Sequence, residues 1–219
     1  MNYRRTVRTL AEELGELLSE LAPADGTFGV FGNHDYNEGI GSIIRKLPKN
    51  IRWLTNSFAL IQKSEQALLL VGIDDYNRGK PNLSSAFGFP AETKSERRVC
   101  EPALGQASWQ RQEPAPFFKL LLSHNPDVTI SKDRALLRHA DLLLCGHTHG
   151  GQLCLPYWGP VITRTKQKNY LSGLHEHSAA PAVYVNRGVG YGMIGYRLLC
   201  PPEILVIELA SRKLSAATG

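Results

Sequence analysis

The sequence predicts an α/β fold in which helices alternate with short apolar strands. An amphipathic stretch near the N-terminus has the spacing of one helix face, and later stretches are short apolar runs bounded by Gly, Pro or Asn. Three of those runs end in polar clusters that contain Asn or His. Because ligands of α/β sheets bind beyond the carboxyl ends of the strands, the three clusters indicate one composite site.

The elements are predicted in order along the chain. Apolar residues three and four apart predict a helix over 7–21, which Pro23 ends. Apolar runs predict strands at residues 28–31, 51–54, 58–61, 68–73, 118–122, 142–145, 182–185 and 204–209. The second and third of these strands are expected to form a hairpin. Two shorter helices are expected at residues 42–47 and 133–139.

The composition is that of a globular protein. Of 219 residues, 42% are hydrophobic and 21% are charged, which excludes collagen-like and mostly disordered classes. The length suits a single domain over residues 1–219, with a long polar excursion at 76–116 that covers the site or is locally disordered. No run approaches the roughly 18–20 apolar residues of a membrane span, and the N-terminus lacks the apolar region of a signal peptide.

The net charge limits the kinds of partner to be expected, and the cysteine content indicates the state of the thiols. The 25 Lys and Arg exceed the 20 Asp and Glu, giving a net charge of +5, but the basic residues are scattered. This pattern fits an anionic substrate or a solvated surface equally well, and we expect no sequence-specific nucleic-acid partner. The four cysteines, at 100, 145, 154 and 200, form no Cys-x-x-Cys pair and are expected to be reduced and structural. The oligomeric state is not indicated.

His147 and His149 are the strongest candidates for metal ligands. In an extended segment, side chains two residues apart point to the same side, so both imidazoles can reach one metal or two adjacent metals. The glycines that flank the pair permit tight turns. His175 and His177 have the same spacing but lie in a segment typical of a surface loop, and we interpret them as exposed.

A second cluster, Asn33, His34 and Asp35, follows the strand predicted at 28–31. The Asn side-chain oxygen is a hard ligand, and the Asp35 carboxylate could orient and charge His34 as a proton donor. Asn and Asp are also common turn and helix-cap residues, so a structural role stays open. His124 ends a third strand, whereas His139 is expected at the surface of a helix.

The ligand types predict a hard metal. Asn, His and Asp without cysteine are typical of Mn²⁺, Mg²⁺ or Fe rather than of a structural zinc site. Two metals about 3.5–4 Å apart suit phosphoester hydrolysis, because together they stabilise the attacking and the phosphoryl oxygens.

These residues resemble motifs of the calcineurin-like metallophosphoesterases. Gly32-Asn33-His34-Asp35, then His124, then Gly146-His147-Thr148-His149 match the last three motifs of that superfamily in order and context. The string GHTHGGQ at 146–152, HNPD at 124–127 and the closing segment 187–204 resemble a bacterial subgroup of metallophosphoesterases and phosphodiesterases. Some of its members act on lipid-linked or cell-envelope substrates. The resemblance covers nearly the whole chain.

The resemblance implies an α/β/β/α sandwich around two divalent metals, with manganese favoured over Fe, Zn or Mg. At matching positions, Asn33, His124 and His147 would bind one metal and His149 the other. The function implied is hydrolysis of a phosphomonoester or phosphodiester by a metal-bound hydroxide that attacks phosphorus in line. His34 would protonate the leaving group or stabilise the phosphoryl charge, with the help of Asp35. Since the ligand imidazoles must be neutral, activity should fall below about pH 6.

Two motifs of the superfamily, Asp-x-His and Gly-Asp-x-x-Asp, have no counterpart in these 219 residues. In the superfamily they supply further ligands, including the bridging Asp, and the first two strands of the sandwich. Asp74 and Asp75 end a strand, but the family pattern does not make either of them the bridge. We expect a fragment or a wrongly started gene product. The alternatives are a catalytically incomplete relative that acts as a binding or scaffold module, and a partner chain that supplies the ligands.

Location and substrate recognition stay open. We expect a cytoplasmic protein as encoded, whereas a longer chain with a further N-terminal segment could be exported or associated with a membrane. Residues 157–160, which include Tyr157 and Trp158, follow the GHTHGGQ string and could either line a substrate pocket or pack in the core.

Overall fold

The computed structural model describes residues 3–63, 66–89, 118–178, 181–192 and 195–210, with side chains from residue 12 onward. The described helices are α1 (Tyr3–Glu20), α2 (Asn33–Glu38), α3 (Ile40–Ile44), α4 (Leu83–Ala86) and three 3-10 helices (Pro126–Ile130, Arg134–His139, His149–Gly151). The described strands are β1 (Thr27–Gly29), β2 (Ile51–Trp53), β3 (Ser57–Lys63), β4 (Gln66–Gly72), β5 (Phe118–Ser123), β6 (Leu142–Cys145), β7 (Cys154–Leu155), β8 (Gly159–Pro160), β9 (Gly173–His175) and β10 (Ala182–Val185).

A six-stranded mixed sheet forms the centre, with the strand order β3-β4-β5-β6-β10-β9. Strands β4, β5, β6 and β10 are parallel to one another, whereas β3 and β9 run antiparallel to their neighbours at the two edges. Strands β1 and β2 pair in parallel as a separate sheet, and β7 pairs with β8 as a short hairpin. The α/β class predicted from the sequence is confirmed, with a mixed sheet at its centre.

Each face of the central sheet packs against a different layer. Alternate residues of β4 point to opposite faces, as in any strand. Leu69 and Val71 join the larger core with α4 and two of the 3-10 helices. Leu70 instead packs with Leu54 against residues of the small sheet, among them Phe28. The small sheet and the helices therefore lie on opposite faces of the central sheet.

The predicted hairpin between 51–54 and 58–61 is wrong. Residues Ile51–Trp53 pair with β1 in the small sheet, and Ser57–Lys63 instead pair antiparallel with β4. The chain changes sheets at Asn56, whose φ of 49° lies in the left-handed region. Leu54 is buried between the two sheets and holds this crossing in place.

The predicted strand at 204–209 is also wrong, since residues 201–210 form no regular element. The alternation of Ile204 and Val206 with polar residues suggested a strand, but a strand also needs a neighbour for its backbone hydrogen bonds. No described strand pairs with this segment, and Ile204 and Val206 are 81% and 88% exposed.

The first helix is confirmed at Tyr3–Glu20, close to the predicted bounds. Among its described apolar side chains, Leu14 and Leu17 are exposed and Leu18 is half-buried. The helix contacts the end of α3 through Gly15, where an added Cβ would lie 2.3 Å from the carbonyl oxygen of Lys46. A glycine is therefore required at that crossing.

Part of the predicted excursion at 76–116 packs against the core. Leu83 and Phe87 are almost fully buried, and Asn82 caps α4 by accepting a hydrogen bond from the Ser85 amide. Residues 90–116 lie outside the described residues, as does Cys100. The three described cysteines are unpaired, as predicted. Of the helices that the structure describes, none is long and apolar enough to cross a membrane.

Candidate metal centre

Three of the predicted site residues meet where neighbouring strands end. His124 follows β5 and His147 follows β6 after one glycine, and these strands are adjacent and parallel. The Gly146 amide donates a hydrogen bond to the His124 carbonyl at 3.0 Å, which ties the two strand ends together. Asn33 reaches the same point as the first residue of α2. The prediction that residues 33, 124 and 147 converge agrees with this structure.

Three side-chain atoms form a nearly equilateral triangle. The Asn33 Oδ1 atom lies 3.0 Å from His124 Nε2 and 3.2 Å from His147 Nδ1, and the two nitrogens are 3.1 Å apart. Metal–ligand bonds of about 2.1 Å place two ligands about 3.0 Å apart at a right angle and about 3.4 Å apart at the tetrahedral angle. The observed spacing is close to that of one face of an octahedron.

The hydrogen bonds around the triangle leave two acceptor atoms, Asn33 Oδ1 and His147 Nδ1, facing each other. The carbonyl oxygen of Arg164 lies 3.1 Å from His147 Nε2, and a carbonyl can only accept, so Nε2 carries the proton of a neutral His147 ring. Nδ1 of His147 is then an acceptor, and it faces the acceptor Oδ1 of Asn33. A cation between these atoms removes that repulsion, so the donor set fits a divalent metal.

The electrostatics keep these histidines neutral. Burial lowers the pKa of His124 to about 3, with smaller contributions from the nearby His147, His149 and His34. Burial also lowers the pKa of His147, although the Arg164 carbonyl and nearby carboxylates oppose the shift. Neutral imidazole is the form that binds metal.

His149 lies beside the triangle with one nitrogen available. Its Nδ1 atom is buried and makes no hydrogen bond among the described residues. The Gly190 backbone acts on the same ring and opposes the lowering of its pKa. Burial and the charge of Arg197 lower the pKa of His149. A buried, unpaired imidazole nitrogen fits a ligand of a metal.

The segment that carries both histidines is not extended. His147 and His149 have φ values of 69° and 52°, in the left-handed region, with Thr148 in the right-handed helical region between them. The expectation that alternation along a strand directs both rings to one side is therefore wrong. The Thr148 hydroxyl fixes the turn instead, because it donates to the Leu171 carbonyl at 2.6 Å and accepts from the Gly150 amide at 3.1 Å.

Asp35 caps the helix that carries the cluster. Its Oδ2 atom accepts a hydrogen bond from the Gly32 amide at 2.7 Å, which is the capping role that the sequence left open. Burial raises its pKa, whereas the Gly32 amide and the charge of His34 lower it. The electrostatic interaction with His34 is consistent with the predicted assistance, which stays a prediction.

Asp74 and Asp75 connect β4 to this cluster. Tyr36 of α2 donates its hydroxyl hydrogen bond to Asp74 Oδ1, and the other Asp74 oxygen accepts from the Lys80 amide at 2.8 Å. Asp75 is fully buried and its Oδ1 atom makes no hydrogen bond among the described residues. Burial raises the pKa of Asp75, and its charge acts on His147. The sequence located this pair at a strand end without assigning its contacts.

Asp127, the last residue of the HNPD string, was missed by the sequence analysis. It is 2% exposed and accepts hydrogen bonds from the Gln167 amide at 2.8 Å, from the Lys166 amide at 3.2 Å and from the Thr165 hydroxyl. These three donors directly follow Arg164, whose carbonyl accepts from His147. The position of Asp127 in the HNPD string was the available signal, but its contacts come from residues about forty positions away.

The other histidines lie elsewhere. His139 is half-buried against Phe89, with ring centroids 4.8 Å apart, rather than freely exposed. His177 is exposed and His175 half-buried, and both rings lie near Tyr170. Within the described residues, no group of three His, Cys, Asp or Glu side chains could hold a metal ion. The triangle therefore depends on the amide oxygen of Asn33.

No protein-family model matches the chain. Among curated proteins, phosphodiesterase YaeI of Escherichia coli is 33% identical over 89% of this chain and 62% of its own length. Two metallophosphoesterases of Bacillus subtilis, both named as uncharacterized, are also similar. YkuE is 30% identical over 89% of this chain and 60% of its own length, and YkoQ is 29% identical over 93% and 67%.

The chain is thus a homologue of bacterial metallophosphoesterases, as its motifs predict. It spans about 60% of the length of the first two of these relatives. Among solved structures, the NAD nucleotidase NadN of Haemophilus influenzae aligns with 74% of this chain and 30% of its own, at 15% identity and a TM-score of 0.40.

Proposed function

We propose that this chain carries part or all of the active site of a metal-dependent hydrolase of phosphoric esters. The observation that carries the proposal is the triangle of Asn33 Oδ1, His124 Nε2 and His147 Nδ1, with mutual distances of 3.0–3.2 Å. The names of the homologous proteins support the same reaction class.

We propose two divalent ions, with the triangle holding one and His149 contributing to the other. Manganese is favoured because one oxygen and two nitrogens with near-octahedral spacing suit it better than they suit tetrahedral zinc. When bound, the ions polarise the phosphoryl group and acidify a water molecule. The residues themselves fix the geometry, since the Arg164 carbonyl orients the His147 ring before any ligand is present.

His34 is the proposed proton donor to the leaving group. It follows the ligand Asn33 on α2, and its charge interacts with the triangle histidines and with Asp35. A cation at His34 also favours the negative charge of a phosphoester substrate. Within this class, phosphodiesters and lipid-linked or cell-envelope phosphoesters are the proposed substrates.

Hydrolysis of bis(p-nitrophenyl) phosphate with Mn²⁺ tests the proposal. The unmodified chain should release p-nitrophenol above the rate with Mn²⁺ alone, and His34→Ala should lower kcat by roughly 10²–10⁴-fold, the usual contribution of a general acid. The matched control is His177→Ala, which removes an exposed histidine outside the site. Equal rates for the two variants would refute the role of His34.

Metal stoichiometry separates this function from the second candidate, a binding or scaffold module. A functional centre should take up at least one Mn²⁺ per chain, and Asn33→Ala should abolish that uptake. Less than about one ion per chain, together with no rate above background, would favour the module. The two facing acceptors Asn33 Oδ1 and His147 Nδ1, 3.2 Å apart, are the observation against it, because a scaffold has no need to keep them.

A further inference from the structure

A tight hairpin beside the metal centre holds two aromatic side chains in the solvent. Strands β7 and β8 pair Leu155 with Gly159, so that only residues 156–158 form the loop. At its tip, Tyr157 is 106% exposed and Trp158 is 87% exposed. Tyr157 has a φ of 66°, a backbone conformation that is unfavourable for a side-chain-bearing residue. The core-packing alternative for these aromatics is thereby excluded.

The flanks of the hairpin are apolar as well. Leu155, Val161 and Ile162 are 46%, 56% and 43% exposed, and they adjoin the tip along the chain on either side. Monomeric proteins seldom expose a contiguous apolar surface without using it. Tyr and Trp, with an apolar ring and a polar group, are the residues enriched where protein meets the membrane–water interface.

A strip of cations follows the hairpin directly. Arg164, Lys166 and Lys168 are exposed, whereas Thr165 and Gln167 between them are held inward by Asp127. The buried Asp127 carboxylate therefore fixes this alternation of exposed and inward residues. All three charged side chains face the solvent as a result. No Asp or Glu occurs between residues 142 and 175, and no salt bridge to the strip is found among the described residues.

We propose that residues 155–168 form a docking surface for an anionic lipid bilayer. The aromatic tip would enter the headgroup region, and the cation strip would bind the negative surface. This combination of an apolar tip and unopposed cations distinguishes the surface from a simple apolar contact between proteins. Ile162 and Arg164 also line a small cleft with His149, so docking would place the candidate metal centre close to the bilayer.

Vesicle co-sedimentation tests the docking surface without relying on catalysis. The unmodified chain should bind vesicles of equal parts phosphatidylcholine and phosphatidylglycerol, and should release from them as the salt concentration is raised. Lys166→Gln/Lys168→Gln should weaken binding about 25-fold, since each basic residue near an anionic surface contributes about fivefold. Tyr157→Ser/Trp158→Ser should weaken binding at least about tenfold and should abolish any blue shift of the tryptophan fluorescence.

Two control variants match these changes outside the surface. Lys49→Gln/Lys132→Gln removes the same net charge from exposed lysines elsewhere, and Leu174→Ser removes an exposed apolar side chain from edge strand β9. Both should bind vesicles within about threefold of the unmodified chain.

Three results would overturn the proposal. The first is no binding to anionic vesicles, and the second is equal loss in the surface and control variants. The third is binding of a single-stranded oligonucleotide at least as tight as vesicle binding, which would assign the surface to nucleic acid. Activity towards bis(p-nitrophenyl) phosphate is measured separately, so a failure of docking and a failure of the proposed function remain distinguishable.

Discussion

Lowering the pH should destabilise the metal-free protein through its buried histidines. The pKa of His124 is about 3 in the folded state and about 6.5 in the unfolded state. Between these values the unfolded chain binds a proton that the folded chain does not bind. The free energy of unfolding therefore falls as the pH falls below about 6.5. His147 and His149 act in the same direction, because their pKa values are also lowered.

The contribution of His124 alone can be worked out for pH 5. That pH lies about 1.5 units below the unfolded pKa, and each unit is worth about 1.4 kcal/mol, which gives about 2 kcal/mol. His124→Gln removes the titrating group but keeps a polar side chain of similar length. The variant should therefore lose about 2 kcal/mol less than the unmodified chain between pH 8 and pH 5, whatever its absolute stability.

Urea unfolding followed by circular dichroism, in EDTA at constant ionic strength, measures this difference. His177→Gln is the control for removing a histidine outside the site. Parallel curves of stability against pH for the unmodified chain and for His124→Gln would refute the reasoning, because His124 would then titrate alike in both states. The same shifts move the acid limb of activity below the pH of about 6 that unperturbed histidines predict.

Three further changes test the site and the fold. Asp127→Asn should weaken Mn²⁺ binding, measured by calorimetry, about 10–100-fold. The control Gln167→Ala keeps the backbone amide that donates to Asp127 and should change Mn²⁺ binding less than about threefold. Equal effects of the two variants would exclude a specific role for the carboxylate. Leu143→Ala, in the fully buried centre of β6, should cost about 2–5 kcal/mol in urea unfolding, and a cost below about 1 kcal/mol would contradict this packing. Gly151→Ala should destabilise more than Gly188→Ala in the same assay, because both have positive φ but only the former Cβ would clash, at 2.2 Å from a proline side chain.

Strand positions were predictable where apolar runs are sharply bounded. Strands Leu142–Cys145 and Ala182–Val185 have the bounds that the sequence predicts, because polar or small residues end each run. Pairing was harder to predict. The runs at 51–54 and 58–61 are close in sequence, yet they belong to different sheets because Leu54 and Asn56 direct the chain across the core.

The parts of the site that depend on side-chain identity were predictable, whereas those that depend on the backbone were not. His124 and His147 could be brought together because parallel strands deliver their carboxyl ends to one edge. The Arg164 carbonyl that fixes the His147 ring has no sequence signature, since every residue has a carbonyl. The left-handed conformation of His147 was equally hidden, because the glycines around it indicated a turn without indicating which residue would adopt it.

His147 and His149 both have backbone conformations in the left-handed region, which explains why so many buried polar groups surround the site. A non-glycine residue in that region costs about 1–3 kcal/mol and persists only when its surroundings determine it. Thr148 fixes the turn from within, Asp127 holds the loop that orients His147, and Arg197 donates to the His149 carbonyl at 3.2 Å. This strain is stored before a metal arrives, so an ion would meet ligands already oriented and would not have to order them.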